Sequence, residues 1–193
     1  MVWKWMRNFQ PRRQFICKVP FMKKTLSHED LKELHNTDTH NCFACSPANP
    51  SGLQMKFYTD EQRVYSWVTI PDHMGGWNNI AHGGILSAIL DEIMGWAGIY
   101  LLEQLTLTKT MTIDFVKAAI IGEQLRVEGW VQERIGRREA IVNAIMYNAE
   151  NEICAKSEGT FTLVSLSLAK RIGIIKDEFE KSFFEPLMRS KAK

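Results

Sequence analysis

Two short stretches of the chain put chemically capable groups at helical spacing. His82-Gly83-Gly84 opens an apolar run with helical periodicity, and Asp91 and Glu92 fall near its third turn. A helix N-terminus offers unpaired backbone N–H groups and a partial positive charge. Two glycines let a ligand approach that backbone closely, so the place suits a developing oxyanion. The same residues also read as a plain glycine turn into a tightly packed helix. A carboxylate on an otherwise enclosed helix is costly unless it is paired or functional. Asp91 and Glu92 are therefore either working groups or acids bonded to a backbone group or hydroxyl at a subunit boundary. Gly84 and Asp91 differ by seven residues, which places them on one helix face about 10 Å apart along the axis. That separation is too large for one donor and one base to act on the same carbonyl. If both serve one reaction centre, they come from different chains, and the site lies across a symmetric dimer interface in two equivalent copies.

Further candidates surround this pair. Thr108, Thr110, Thr112 and Asp114 alternate along one predicted strand face; the row could position a water against Asp91 or be an ordinary polar face. Lys117 and the Gly136-Arg137-Arg138 turn are basic points at strand ends that could grip phosphates; solvated turn charges are the alternative. His35, His40, Cys42 and Cys45 offer an H-x-C-x-x-C core for zinc, but the loop is short and His35 belongs to the preceding predicted helix. A turn with two small thiols is the plainer reading, and no metal is expected. Met94, Trp96, Trp77 and Met111 line either a pocket or the core.

The elements that must position these groups follow from periodicity. Leu53 to Tyr58 and Arg63 to Ile70 alternate as strands. Gly83 to about Glu103 is helical and apolar nearly all round, so it is enclosed on most sides. Four strand-like runs follow, about Leu107–Val116, Gln124–Arg134, Glu139–Asn148 and Ile153–Val164, separated by turn signals at Gly122, Gly136 and 148–151. Short connections imply an antiparallel meander. The predicted class is α+β, an antiparallel sheet curled around one long central helix. Ser27–Asp30 predicts a helix N-cap running to about Leu34, and 177–189 predicts a terminal helix docked on the domain. The expected division is a basic arm with a short helix over 1–40, one domain over 41–165 and a helical extension over 166–193.

Composition narrows the function classes. The chain has 193 residues with Lys+Arg 24 against Asp+Glu 22, a net charge of +2, so no general nucleic-acid footprint exists. Four cysteines are too few for a disulfide scaffold and suit a reducing, cytoplasmic setting. Residues 1–24 carry seven basic residues and no acid; they read as a surface arm or, less simply, an organellar transit segment interrupted by Pro11 and Pro20. The most apolar window, 85–102, holds Asp91 and Glu92, each costing about 3 kcal/mol in lipid, so a buried helix is expected rather than a membrane span. No P-loop, G-x-G-x-x-G, G-x-S-x-G or H-E-x-x-H pattern is present.

Three stretches together resemble a known family: Cys42-Phe-Ala-Cys-Ser-Pro-Ala-Asn-Pro-Ser-Gly-Leu53, Ile80-Ala-His-Gly-Gly-Ile-Leu86 and Leu90-Asp-Glu92, with Asp114-Phe-Val-Lys117 in support. They are similar to the hotdog-fold acyl-CoA thioesterases, nearest the branch of the phenylacetate-pathway enzymes and the human thioesterase-superfamily members, over about residues 41–164. The resemblance implies a sheet wrapped around the central helix and a homodimer, or a dimer of dimers, with a continuous sheet. It implies Asp91 as general base or nucleophile in thioester hydrolysis, with the Gly84 N–H of the partner chain polarising the carbonyl and His82 orienting that loop. It places Thr108 where a hydroxyl helps hold the water or carboxylate. Gly83, Asn79, Lys117, Arg137 and Arg138 become contacts to the acyl-CoA, which is substrate; no cofactor is implied. Gly76 stands where some relatives carry Asn, Ala118 where Pro is usual and Ser46 where Gly is usual. Two other readings of the same residues are an acyl-CoA-binding module without turnover and a 3-hydroxyacyl-thioester dehydratase using His82 with Asp91.

Overall fold

The computed structural model describes residues 26–191; the basic segment 1–24 lies outside the described residues. Strands Lys32–Glu33 (β1), Tyr58–Thr59 (β2), Val64–Thr69 (β3), Leu105–Phe115 (β6), Gln124–Ile135 (β7), Glu139–Tyr147 (β8) and Ile153–Val164 (β9) form one antiparallel sheet in the order β1-β2-β3-β7-β8-β9-β6. Gly75–Trp77 (β4) and Ile80–Ala81 (β5) make a small separate hairpin, turned at Asn78 with φ 43°. The single long helix α1, Gly83–Leu102, packs on β3, β6, β7, β8 and β9. By length and composition α1 could cross a membrane; in the fold its Ile89, Leu90, Ile93, Met94 and Ala97 are fully buried. The sheet curls around it because each strand alternates a core face with an outer face. β7 passes under α1 at Gly129, where a Cβ would stand 2.8 Å from the Ile93 carbonyl oxygen; only glycine permits that approach.

The central helix and the four strands after it lie within a residue or two of their expected bounds, but only β7, β8 and β9 form a meander: β6 pairs with β9 at the sheet edge and not with β7, whose other edge is taken by β3. Two local expectations are also corrected. Ser27 makes no cap, and only a 3-10 turn forms at His28–Asp30 before the chain extends into β1. Leu53–Phe57 is not a ladder strand: Gln54 takes φ 49°, and the segment bonds instead to the 42–45 turn and Leu34 (Leu53 N–H to Phe43 O 3.0 Å, Met55 N–H to Ala44 O 2.9 Å, Leu34 N–H to Phe57 O 2.8 Å). The alternation still reports burial, because Met55 and Phe57 are in the core. After a separate short helix, Leu166–Arg171 (α2), the expected terminal helix is present: Asp177–Phe179 (α3), a π-helical turn at Glu180–Phe184 and Glu185–Lys191 (α4) follow one another without a gap, with αR backbone at both junctions. Phe183, Phe184 and Leu187 dock it on the core, with the Phe183 ring edge-on to Trp96 at 5.2 Å.

Candidate functional site

α1 begins with His82 as its N-cap. The His82 Nδ1 accepts the Gly84 N–H at 2.9 Å, and the His82 carbonyl accepts the N–H groups of Ile85 and Leu86. This cap uses up the Gly84 donor. Gly83, the first helical residue, has an exposed N–H with no hydrogen bond among the described residues. Nothing crowds it: a Cβ at Gly83 would meet only the Phe115 ring, at 3.7 Å. The preceding hairpin is closely apposed, and a Cβ at Gly76 would lie 3.2 Å from the His82 Cα. Asn79 is exposed, and its carbonyl accepts the Ile121 N–H at 2.9 Å. Trp77 is 82% exposed on this hairpin and lines no core.

Two turns further along α1, Thr108 Oγ1 donates to Asp91 Oδ1 at 2.7 Å. A β-bulge between Thr108 and Thr110 shifts the register of β6 against β9. Before the bulge Thr106 and Thr108 face α1, with Thr106 Oγ1 donating to the Gly95 carbonyl at 3.1 Å. After it the inward positions are Met111 and Ile113, which pack on the core. The expected row of Thr108, Thr110, Thr112 and Asp114 is therefore split, and only Thr108 meets the carboxylate. Bulges beside active sites commonly re-aim a side chain in this way.

Asp91 and Thr108 open on a cavity of about 350 Å³ that Cys42, Glu92, Trp96 and Phe183 also line. Its far wall is the C-terminal segment, where Phe179 stacks on Phe183 at 4.8 Å. Trp96 thus lines the cavity while Met94 is core. Glu92 accepts from Trp96 Nε1 at 3.0 Å and from Cys42 Sγ at 3.7 and 3.8 Å. Burial pushes the Glu92 carboxyl up to about 7, and negative charge on Cys42 adds to the shift. A hydrogen bond from Cys45 lowers the Cys42 thiol, while the same bond and burial raise Cys45.

The basic candidates separate. Lys117 is exposed, pairs with Glu152 and follows β6 at the end nearest Gly83. Arg137 and Arg138 are exposed on the β7–β8 turn, whose backbone meets Leu163. Lys117 meets β9 at Cys154, so the two basic points lie about 30 Å apart along that strand. One phosphate group cannot touch both within a single chain. The two histidines of the zinc reading are also occupied elsewhere: His35 Nε2 bonds the Ser182 carbonyl at 2.8 Å, and His40 uses both ring nitrogens on the Cys42 N–H and Asn36 Oδ1. Sequence reasoning missed that Glu92, fifty residues from Cys42, is the group facing the thiols. It also missed the role of the terminal phenylalanines as a cavity wall. No local pattern signals either.

A sheet wrapped around one central helix defines the hotdog fold, and comparisons with known proteins agree. The model of the thioesterase superfamily matches residues 78–155, from the β4–β5 hairpin through α1 into β9. A crystal structure of a thioesterase superfamily protein aligns with TM-score 0.59 at 20% identity, over 63% of this chain and 59% of that one. The zebra fish thioesterase superfamily member 2 aligns with TM-score 0.54 at 20% identity, over 61% of this chain and 90% of that one. A Streptococcus mutans protein bound to acetyl CoA aligns with TM-score 0.53 at 21% identity, over 57% of this chain and 89% of that one. No curated protein matches the sequence. The chain has the hotdog fold, and its segment 78–155 is similar to the thioesterase superfamily.

Proposed function

We propose that this protein hydrolyses acyl-CoA thioesters to a free acid and coenzyme A. The observation that carries the reading is the Thr108–Asp91 pair at the mouth of the cavity. The Thr108 hydroxyl fixes one carboxylate oxygen, and the second makes no hydrogen bond among the described residues. That second oxygen is placed to take a proton from water as the water oxygen bonds to the thioester carbon. The carbonyl electron pair moves onto its oxygen, and collapse of the adduct breaks the C–S bond and releases the coenzyme A thiolate. Direct attack by Asp91, giving a mixed anhydride that water then opens, uses the same residue. The superfamily match and the acetyl CoA held by the Streptococcus mutans relative support an acyl-CoA ligand.

The oxyanion donor is Gly83 in this reading, because the Gly84 N–H expected in that role is held by His82. Gly83 and Asp91 are eight residues apart on one helix, about 12 Å, so the donor comes from a second protomer. Support for a homodimer comes from β6, the last strand of the sheet, whose outer edge has no partner among the described residues and exposes Leu107 and Phe115. A second copy pairing along that edge extends the sheet and removes the liability of an open strand. Lys117 and Asn79 flank the Gly83 end and are the contacts proposed for the coenzyme A moiety.

The test is thiol release from short, medium, long and aromatic acyl-CoAs, with Asp91→Asn alongside. Turnover by the wild type, with loss of about 100-fold or more in the variant and retained acyl-CoA binding, is the expected result. Binding without release by the wild type would instead identify a non-hydrolytic acyl-CoA-binding protein.

A further inference from the structure

We propose that Cys42, Cys45 and Glu92 bind a thiophilic divalent cation of the zinc class, with a fourth coordination position facing the cavity. The two sulfurs and a Glu92 carboxylate oxygen all lie within 4.8 Å of one another. The Cys42 sulfur stands 3.7 and 3.8 Å from the Glu92 oxygens. Zinc bonds of about 2.3 Å to sulfur and 2.1 Å to oxygen in a tetrahedron require ligand–ligand edges of about 3.6 Å, so small rotations of the side chains close the site.

The ligands sit on fixed supports. Cys42 and Cys45 are two thiols of a C-x-x-C turn closed by the Ser46 N–H to Cys42 carbonyl bond at 3.2 Å. Asn36 Nδ2 donates to the Cys45 carbonyl at 2.7 Å, and Phe43 and Ala44 are pinned to 53–55 through their carbonyls. Glu92 projects from the middle of α1, and its Oε1 is oriented by the Trp96 indole N–H at 3.0 Å. Outer partners of this kind hold metal ligands in place. A sulfur pair with one carboxylate suits a borderline-soft cation and is a poor set for calcium or magnesium, which take oxygen ligands. His35 and His40 fall outside this cluster: His35 Nε2 is bonded to the Ser182 carbonyl, and both His40 ring nitrogens are engaged by Asn36 and the Cys42 N–H. Cys42, Cys45, Asp91 and Glu92 line the same cavity, which leaves the fourth position open to it. Binding takes both sulfurs as thiolates, with any proton they carry passing to solvent, involves no electron transfer and clamps the 42–45 turn onto α1 beside Asp91.

The experiment uses the reduced full-length protein, stripped with a chelator and titrated with Co2+ under anaerobic conditions. The readout is the thiolate-to-cobalt charge-transfer absorption, which is independent of any turnover. A band saturating at one cobalt per chain and erased by Zn2+ is expected. Cys42→Ser weakens binding at least about tenfold and diminishes the band, while Glu92→Gln weakens binding about tenfold and keeps the band. Circular dichroism of each variant confirms the fold. Absence of the band in wild type with both thiols titratable overturns the proposal: the cluster is then only a hydrogen-bonded thiol pair. A band undiminished in the Cys42→Ser/Cys45→Ser double variant overturns it as well, because the metal then sits on other residues.

Discussion

His82–Gly84 and Asp91–Thr108 lie two turns apart on α1 and are built from different material. The first is backbone: a capped helix end at which the Gly83 N–H has no hydrogen bond among the described residues and a Cβ would meet only the Phe115 ring, at 3.7 Å. The second is side chain: a carboxylate fixed by a hydroxyl from β6 at the mouth of a cavity walled by the C-terminal segment. One end offers a donor with no acid near it, and the other offers an acid with no oxyanion donor near it. In the proposed function each is half of an acyl-transfer site, and the helix that carries both keeps them apart. The difference teaches why the proposed reaction calls for two chains at one centre: the long helix that organises the core also holds the two halves about 12 Å apart.

This contrast can be broken most severely at the side-chain half. Asp91→Asn removes the proton acceptor and keeps the Thr108 contact through the amide oxygen, so kcat falls about 100-fold or more while acyl-CoA binding persists, as measured by thiol release and calorimetry. The backbone half is reached by Gly83→Pro. Proline is accepted at the first position of a helix, and the extended His82 (φ −66°, ψ 133°) suits a following proline. The substitution deletes only the N–H, with an expected loss of about 100-fold in kcat and an unchanged thermal midpoint. Thr108→Ala is milder: the carboxylate stays but loses its orienting bond, costing about tenfold in kcat, with recovery in Thr108→Ser. Lys117→Ala is the smallest. Its exposed pair with Glu152 contributes little, and KM for acyl-CoA rises about threefold or less.

The two halves also differed in how far the sequence disclosed them. Gly83–Leu102 was legible because a nearly all-apolar helix must be enclosed, and the four strands after it because their apolar alternation runs long between clear turns; the place of β6 beside β9 was not, since pairing order leaves no mark on alternation. His82, Gly83, Gly84 and Asp91 were legible because helix geometry converts sequence spacing into distance. The strand contribution was only half legible. Thr108 was found, but the bulge after it was not, since a residue left unpaired in the ladder breaks the period without changing residue type. Leu53–Tyr58 showed its burial and hid its pairing, because its partners are loop carbonyls and one of its residues adopts positive φ. The Cys42–Cys45–Glu92 cluster joins a loop to a helix fifty residues on, a closure that only the folded chain displays. The capping of Gly84 by His82, the reason the proposed function gives the donor role to Gly83, likewise depends on a side-chain rotamer and not on spacing.

The most direct measurement is complementation between the two halves. Asp91→Asn and Gly83→Pro chains, each nearly inactive alone, are mixed under conditions of subunit exchange, and thiol release is followed with the best acyl-CoA substrate. If the donor and the carboxylate come from different protomers, each mixed dimer holds one intact site, and a statistical mixture recovers about one quarter of wild-type activity. Failure to recover any activity, with mixed dimers shown to be present by mass spectrometry, would contradict the account: donor and acid would then not meet across the interface.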